Sequence, residues 1–244
     1  GHYFRLDAFI LNQTTGTIII GPDFGERVYR PENMNYGPIS HWIGIHQDFG
    51  IFNVFKASTI VLFDTFAPTQ LSVPQVAGTS TAYTLTFGVY ERDSQVKAKK
   101  FSSIVTGRAA AILVQPDKRM MITIATPLDP RYPLVALVNA TKENPGGSGY
   151  NLKPGTQTVL TYTSLQYAEN LYWVYKERFD VLGSTNPGEY SSDQYKAEVQ
   201  AAEMISKAHR AIDANQYTQA TDYSTLAWRL GRNVYLYTRL RIED

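Results

Sequence analysis

Cysteine is missing altogether from the chain. That removes disulfides, thiol nucleophiles, iron–sulfur clusters and thiolate zinc sites from consideration, although it does not by itself assign a compartment. Charge is sparse as well: 18% of residues are Asp, Glu, Lys or Arg, against roughly 25% in an average globular chain. The 23 basic and 22 acidic side chains nearly cancel, leaving a net charge of +1. Basic residues gather only in "KAKK" (97–100) and in "RLGR…TRLR" (229–241). Nucleic-acid binders concentrate Lys and Arg on one face, because phosphate contacts supply most of the affinity. The two short runs read as a solvated strand end and a solvated helix face, and no nucleic-acid partner is expected. Long hydrophobic runs are missing too. "TIIIG", "TIVLF", "RAAAILV" and "PLVALV" fall far short of the roughly 18 consecutive apolar residues of a membrane-spanning helix. The expectation is a soluble chain that meets a membrane only through an anchor outside these 244 residues.

What is present points to a sizeable globular protein. Apolar residues make up 43% of 244 positions, enough for a core that needs neither metal nor disulfide. The 17 tyrosines, together with plentiful Thr, Ser, Asn and Gln, resemble the surfaces of secreted and envelope proteins. The sequons Asn12-Gln-Thr and Asn139-Ala-Thr could accept glycans outside a cell. Gly1-His2 has the character of a scar left by removal of a tag, so His2 is set aside. An extracytoplasmic location is the resulting expectation.

Two regimes meet near residue 164. Before it, apolar residues alternate with polar ones or form short β-branched runs bounded by Gly, Pro, Asn and Asp. The expected strands are 3–11, 16–21, 40–46, 51–56, 58–64, 69–74, 82–91, 96–105, 109–114, 119–126, 134–139 and 157–163. In "AYTLTFGVYER", Tyr83, Leu85, Phe87 and Val89 share one face, as period-two alternation requires. No helical pattern separates these strands, so the fold class is mainly β: an antiparallel β-sandwich over residues 3–163, Ig-like or jelly-roll-like. "ENPGGSGYNLKPG" (143–155) reads as a flexible excursion.

From 164 to 244 the period becomes helical. "SLQYAENLYWVYKERFDVLG" opens at a cap on Ser164 and closes at Gly183, with Leu165, Ala168, Leu171, Tyr172, Tyr175, Phe179 and Leu182 on one stripe. A second helix follows a cap at Ser192, with Tyr195, Val199, Ala202, Ile205, Ala208 and Ile212 as its apolar face. After a break at Asn215 a third repeats the pattern through Ala220, Tyr223, Ala227, Leu230, Val234 and Tyr237. The short break makes these two an antiparallel hairpin, with Ala202, Ala208, Ala220 and Ala227 as a seam of close approach. The stretch from Ala208 to Gly231 resembles one tetratricopeptide-type hairpin, but such solenoids need stacked repeats and there is no second copy. It reads as helix packing.

Candidate chemistry is thin. His41, His46 and Asp48 in "HWIGIHQDFG" are the nearest approach to a metal site. On a strand an odd spacing turns His41 and His46 to opposite faces, and no third histidine lies near, so no metal and no cofactor are expected. "GGSGY" around Ser148 lacks both the nucleophile-elbow spacing and the flanks of a phosphate loop. The candidate carboxylate pairs for a hydrolase are Asp23 with Glu26 and Asp7, or Glu91 with Asp93. The 22–38 segment has oxygens for calcium without EF-hand spacing. Tyr167, Tyr172, Trp173 and Tyr175 read either as core or as a contact platform for a protein or glycan. Together these features favour a non-enzymatic extracytoplasmic envelope or assembly module, possessing a protein partner, a glycan partner or copies of itself. A carbohydrate-active hydrolase and a self-assembling capsid, filament or surface-layer subunit are the rivals.

Overall fold

The computed structural model describes residues 3–5, 8–23, 40–42, 53–65, 86–106, 109–125, 135–188 and 192–243. They form strands β1 (Tyr3–Arg5), β2 (Ile10–Leu11), β3 (Ile18–Pro22), β4 (Ser40–Trp42), β5 (Val54–Lys56), β6 (Ser58–Leu62), β7 (Thr86–Glu91), β8 (Phe101–Thr106), β9 (Ala109–Val114), β10 (Arg119–Ala125), β11 (Val135–Leu137), β12 (Tyr150–Asn151) and β13 (Gln157–Leu160). Helices α1 (Thr163–Thr185), α2 (Asp193–Asp213) and α3 (Tyr217–Glu243) follow. The expected strand at 69–74, and residues Tyr83 and Leu85, lie outside the described residues.

One four-stranded sheet runs β13-β6-β9-β8. In another, β10 carries β7 along one edge, while β11 and β12 share the other. β2-β3-β5 and β1-β4 form smaller sheets. The described pairings are antiparallel except β13 with β6, which run parallel with Gln157 opposite Thr59 and Leu160 opposite Leu62. That parallel pair departs from the antiparallel expectation. Among the described residues no crossover helix joins its strands, and β7 to β12 intervene between them.

The two four-stranded sheets contribute to one buried cluster. Ile60, Leu62, Phe101, Ala110, Ile112 and Val114 come from the first; Phe87, Val89, Met120, Ile122, Ile124, Leu137 and Tyr150 come from the second. Each fully buried aliphatic here contributes roughly 1.5–3 kcal/mol. Phe87 and Val89 lie on the expected face of β7. The sheets are also covered behind. Leu113, on the far side of β9, packs with Phe55 and Ala57 beside the β2-β3-β5 sheet, and Met121, on the far side of β10, packs with Val138, Ala140, Trp173 and Val174. Burial on both faces explains why β6 and β9 read as apolar runs instead of clean alternation.

The helices are part of the same interior: Tyr167, Ala168, Ala227 and Trp228 join the cluster to which both sheets contribute. Asn170, 2% exposed, docks α1. Its side-chain oxygen accepts from the backbone N–H of Val138 (2.9 Å) and of Ala140 (3.0 Å), and its amide donates to the Gln166 carbonyl at 2.8 Å. Ser192 caps α2, accepting from the Tyr195 N–H at 3.1 Å. Asn215, at φ 58°, makes the left-handed turn between α2 and α3. No helix of the described residues is long and apolar enough to cross a membrane.

Three expectations are corrected. First, α1 begins at Thr163 with Tyr162 before it and no side-chain cap, and it runs past Gly183 to Thr185. Ser164 instead donates its hydroxyl to Asp64, which also accepts from Thr221, tying the end of β6 to α1 and α3. Second, segment 143–155 is built into the fold. Arg92 donates to the carbonyls of Gly146 (3.0 Å) and Gly147 (2.9 Å), Gly149 N–H reaches the Val138 carbonyl at 2.8 Å, and Tyr150 pairs with Met120. Gly147 sits at φ 78°, and a Cβ there would lie 2.3 Å from the Val138 oxygen, so only glycine fits. Its glycines allow tight packing here, not mobility. Third, the buried side of α2 is Glu198, Ala201, Ala208 and Ala211, rotated from the expected stripe, and Val199 is 47% exposed. The α3 side includes Ala220, Ser224, Ala227, Trp228 and Val234. Its Gly231 is also buried, and a Cβ there would meet the Tyr175 ring at 2.9 Å.

Candidate functional site

The most chemically distinctive surface feature is a cleft of about 470 Å³ lined by Glu91, Ser94, Val96, Lys97, Lys99, Lys100, Gln115 and Lys118. Its walls are two connections between the four-stranded sheets. Residues 92–100 carry the chain from β7 to β8, and 115–118 carry it back from β9 to β10, at the same end of both sheets. Both walls are fixed by backbone bonds. Glu91 N–H donates to the Val96 carbonyl at 2.9 Å and Ala98 N–H to the Val89 carbonyl at 2.8 Å, while Asp117 N–H reaches the Leu152 carbonyl at 2.8 Å. Gln95 (φ 56°) and Asp117 (φ 59°) take the left-handed conformations these turns require. Ala98 is fully buried, which leaves the lysines on either side of it to the cleft.

Among the described lining residues, four ammonium groups thus face a single carboxylate, Glu91. Glu91 accepts a bond from Lys118, and next to it Asp93 accepts from Arg119, with Nε at 3.2 Å. Both carboxylates of the candidate hydrolase pair are therefore engaged by cations of the neighbouring turn and strand. These pairs are partly exposed and brace the turn weakly.

The aromatic candidates on α1 split by depth. Tyr167 and Tyr175 are buried, at 1% and 0% exposure, while Tyr172 and Trp173 are half-buried. Tyr172 meets Trp173 edge-to-face at 5.0 Å between ring centres, and Tyr175 likewise at 5.5 Å. The Tyr172 hydroxyl donates to Glu198 at 2.9 Å, and Lys176 lies 3.7 Å from the same carboxylate, which supplies the partners that a buried Glu needs. Burial, followed by the negative charge of Glu198, pushes both the Tyr172 and Tyr175 hydroxyls well above the ordinary tyrosine value. Tyr167 is pushed up by burial and then by Asp64 and Tyr150.

The remaining candidates are scattered. His41 lies in β4 opposite Phe4, whereas His46, Asp48, Asp7, Glu26 and the 24–38 stretch lie outside the described residues. Asp23 is buried at the end of β3. Among the described residues no group of three or more His, Cys, Asp or Glu is placed to hold a metal ion. Ser148 donates its hydroxyl to the Gly149 carbonyl and accepts from Asn139 at 2.9 Å, a turn contact. Ser164, bonded to Asp64, is 1% exposed and closed to any substrate.

The "KAKK" run was visible in the sequence as charge, but its meeting with Lys118, Ser94 and Gln115 was not. The missing signal is topological: two non-adjacent connections converge only once the sheets are paired. No protein-family model matches the chain, and no curated protein or solved structure matches it.

Proposed function

We propose that this protein is a non-enzymatic, extracytoplasmic envelope or assembly module that works by contacting proteins or surface glycans. The framework is read as a β-sandwich, Ig-like or jelly-roll-like, that carries a helical buttress. The observation that carries the reading is the lysine-lined cleft: loops at one end of paired sheets, held rigid by the scaffold, are a usual place for binding residues. Support against the hydrolase reading comes from Glu91 and Asp93, each held in an ion pair. The composition, rich in tyrosine and poor in charge, supports the location outside the cytoplasm.

The test is protease shaving of intact source cells, followed by detection with an antibody raised against residues 1–244. Cleavage before lysis supports the reading. Protection until the cells are broken would overturn it. A self-assembling subunit is the second reading, favoured by β2, whose Ile10 and Leu11 are 54% and 53% exposed on a strand paired, among the described residues, only with β3. A concentration-dependent shift on a sizing column, lost in Leu11→Lys, distinguishes that reading from a monomeric module.

A further inference from the structure

The cleft between the sheet connections has a composition that selects among ligands. Its charges are all lysines, apart from Glu91. An ammonium is a compact, strongly hydrated point charge, suited to separate anionic groups more than to the planar, bidentate recognition that arginine provides. Lys97, Lys99, Lys100 and Lys118 are drawn into one concavity, although the whole chain carries only +1. Like charges held together by a fixed backbone raise the local potential, and a bound anion relieves it.

The rest of the lining narrows the class. Ser94, Gln115 and Glu91 offer hydroxyl, amide and carboxylate groups, which can bond to sugar hydroxyls both as donors and as acceptors. Val96, 57% exposed at the rim, presents methyl groups to the C–H face of a ring. None of the described lining residues is aromatic, so they offer no surface on which a nucleobase could stack. A volume of about 470 Å³ falls within the usual range for small-ligand clefts, roughly 300–1,000 Å³.

We propose that this cleft binds an acidic saccharide: a short sugar chain that carries carboxylate or sulfate groups at intervals. The proposal rests on the reading of the protein as a contact module and names the chemistry of one of its ligands. Lys99 and Lys100 supply charge from the β7–β8 connection, and Gln115 with the Glu91-paired Lys118 supplies donors from the β9–β10 turn, so the ligand bridges the two connections. No bond is made or broken.

Titration calorimetry on the full 244-residue protein tests this with four probes: a heparin-derived hexasaccharide, hexagalacturonate, a neutral dextran hexasaccharide and hexathymidylate. At least one acidic saccharide should bind, weakening as salt rises, and the neutral sugar should not. Whichever acid binds more tightly identifies the acidic group as sulfate or carboxylate. The double variant Lys99→Ala/Lys100→Ala should lose roughly tenfold or more in affinity. Lys142→Ala/Lys153→Ala makes the same change in net charge on exposed residues outside the lining and should bind like the wild type. Val96→Glu, which places a negative charge at the rim without touching the core, should repeat the loss and covers the case in which the lysine variant misfolds. Absence of binding by both acidic saccharides at low salt would overturn the proposal. So would equal losses in the two double variants, or hexathymidylate binding as tightly as the better acidic saccharide. Surface cleavage on intact cells without saccharide binding would leave the envelope reading standing and remove the cleft. Saccharide binding without surface cleavage would do the reverse.

Discussion

The sheets and the α2–α3 hairpin of this protein are buried through different side chains. In the cluster that the two four-stranded sheets share, the side chains are bulky: Ile60, Leu62, Ile112, Met120, Ile122 and Ile124 are all fully buried. Along α2 the buried positions are small or polar, Glu198, Ala201, Ala208 and Ala211, and α3 adds Ala220, Ser224 and Ala227 beside the larger Trp228 and Val234. Side chains on a strand stand out from the sheet, so bulky ones are needed to fill the space above it. Closely packed helices meet only where side chains are short. The lesson is that the two halves of one interior are sensitive to opposite substitutions.

The largest effect is expected in the sheets. Ile112→Ala removes a fully buried side chain from the centre of β9 and should cost about 2–5 kcal/mol in denaturant unfolding. A cost below that of a surface substitution would mean the two sheets do not share a tight interior. In the helical seam the direction reverses. Ala227→Leu overpacks a position 2% exposed and should cost about 1–3 kcal/mol, whereas Gln219→Leu on the exposed side of α3 should leave the melt nearly unchanged. Equal melts for the two would dissolve the contrast between seam and surface.

A smaller effect separates two neighbouring tyrosines. Tyr172→Phe deletes the hydroxyl that donates to Glu198 at 2.9 Å and should cost about 0.5–1.5 kcal/mol. The Tyr175 hydroxyl is buried with no hydrogen-bond partner among the described residues, so Tyr175→Phe should be neutral or stabilising. Thermal melts of both variants decide the matter, and a loss at Tyr175 equal to that at Tyr172 would show that its hydroxyl is engaged.

The smallest effect is electrostatic and lies on the surface of α2. Asp193 is held below its ordinary value by the hydrogen bond and then the charge of Lys196, and Glu203 by those of Lys207. Because their folded values lie below the unfolded ones, their contribution is present above the usual carboxylate range and is lost as the pH falls through the folded values. Both groups are fully exposed, so the gain is slight and screened by salt. The melting temperature of Asp193→Asn/Glu203→Gln should fall marginally below wild type at neutral pH and merge with it in acid and in about 1 M salt. A difference that persists in acid would assign the effect to packing.

Much of this was readable one element at a time. Strands at 58–64, 109–114 and 119–126 overlap β6, β9 and β10 closely, because β-branched runs between turn residues have few other conformations open to them. The Ser192 cap and the Asn215 turn were readable for the same local reason. The α2 face was not: counting apolar residues selected Val199, since no local rule shows that Glu198 will find Tyr172 and Lys176 on another helix. The glycine-rich segment was misread because freedom in the unfolded chain and tight packing in the folded one call for the same residue. Of the candidate site, the charge of 97–100 was readable but not the cleft, whose other wall lies fifteen residues and more along the chain at Gln115 and Lys118.

The sequence by itself determined the succession of β and α regimes, the helix hairpin and the lack of any thiol chemistry, all consequences of composition and short-range periodicity. Only the tertiary structure decided that β13 would run parallel to β6, that α1 and α3 would share one buried cluster with both four-stranded sheets, and that four lysines would line one cavity. Those outcomes depend on which distant surfaces bury each other, and the energy that chooses among them resides in contacts that exist only after the chain has folded.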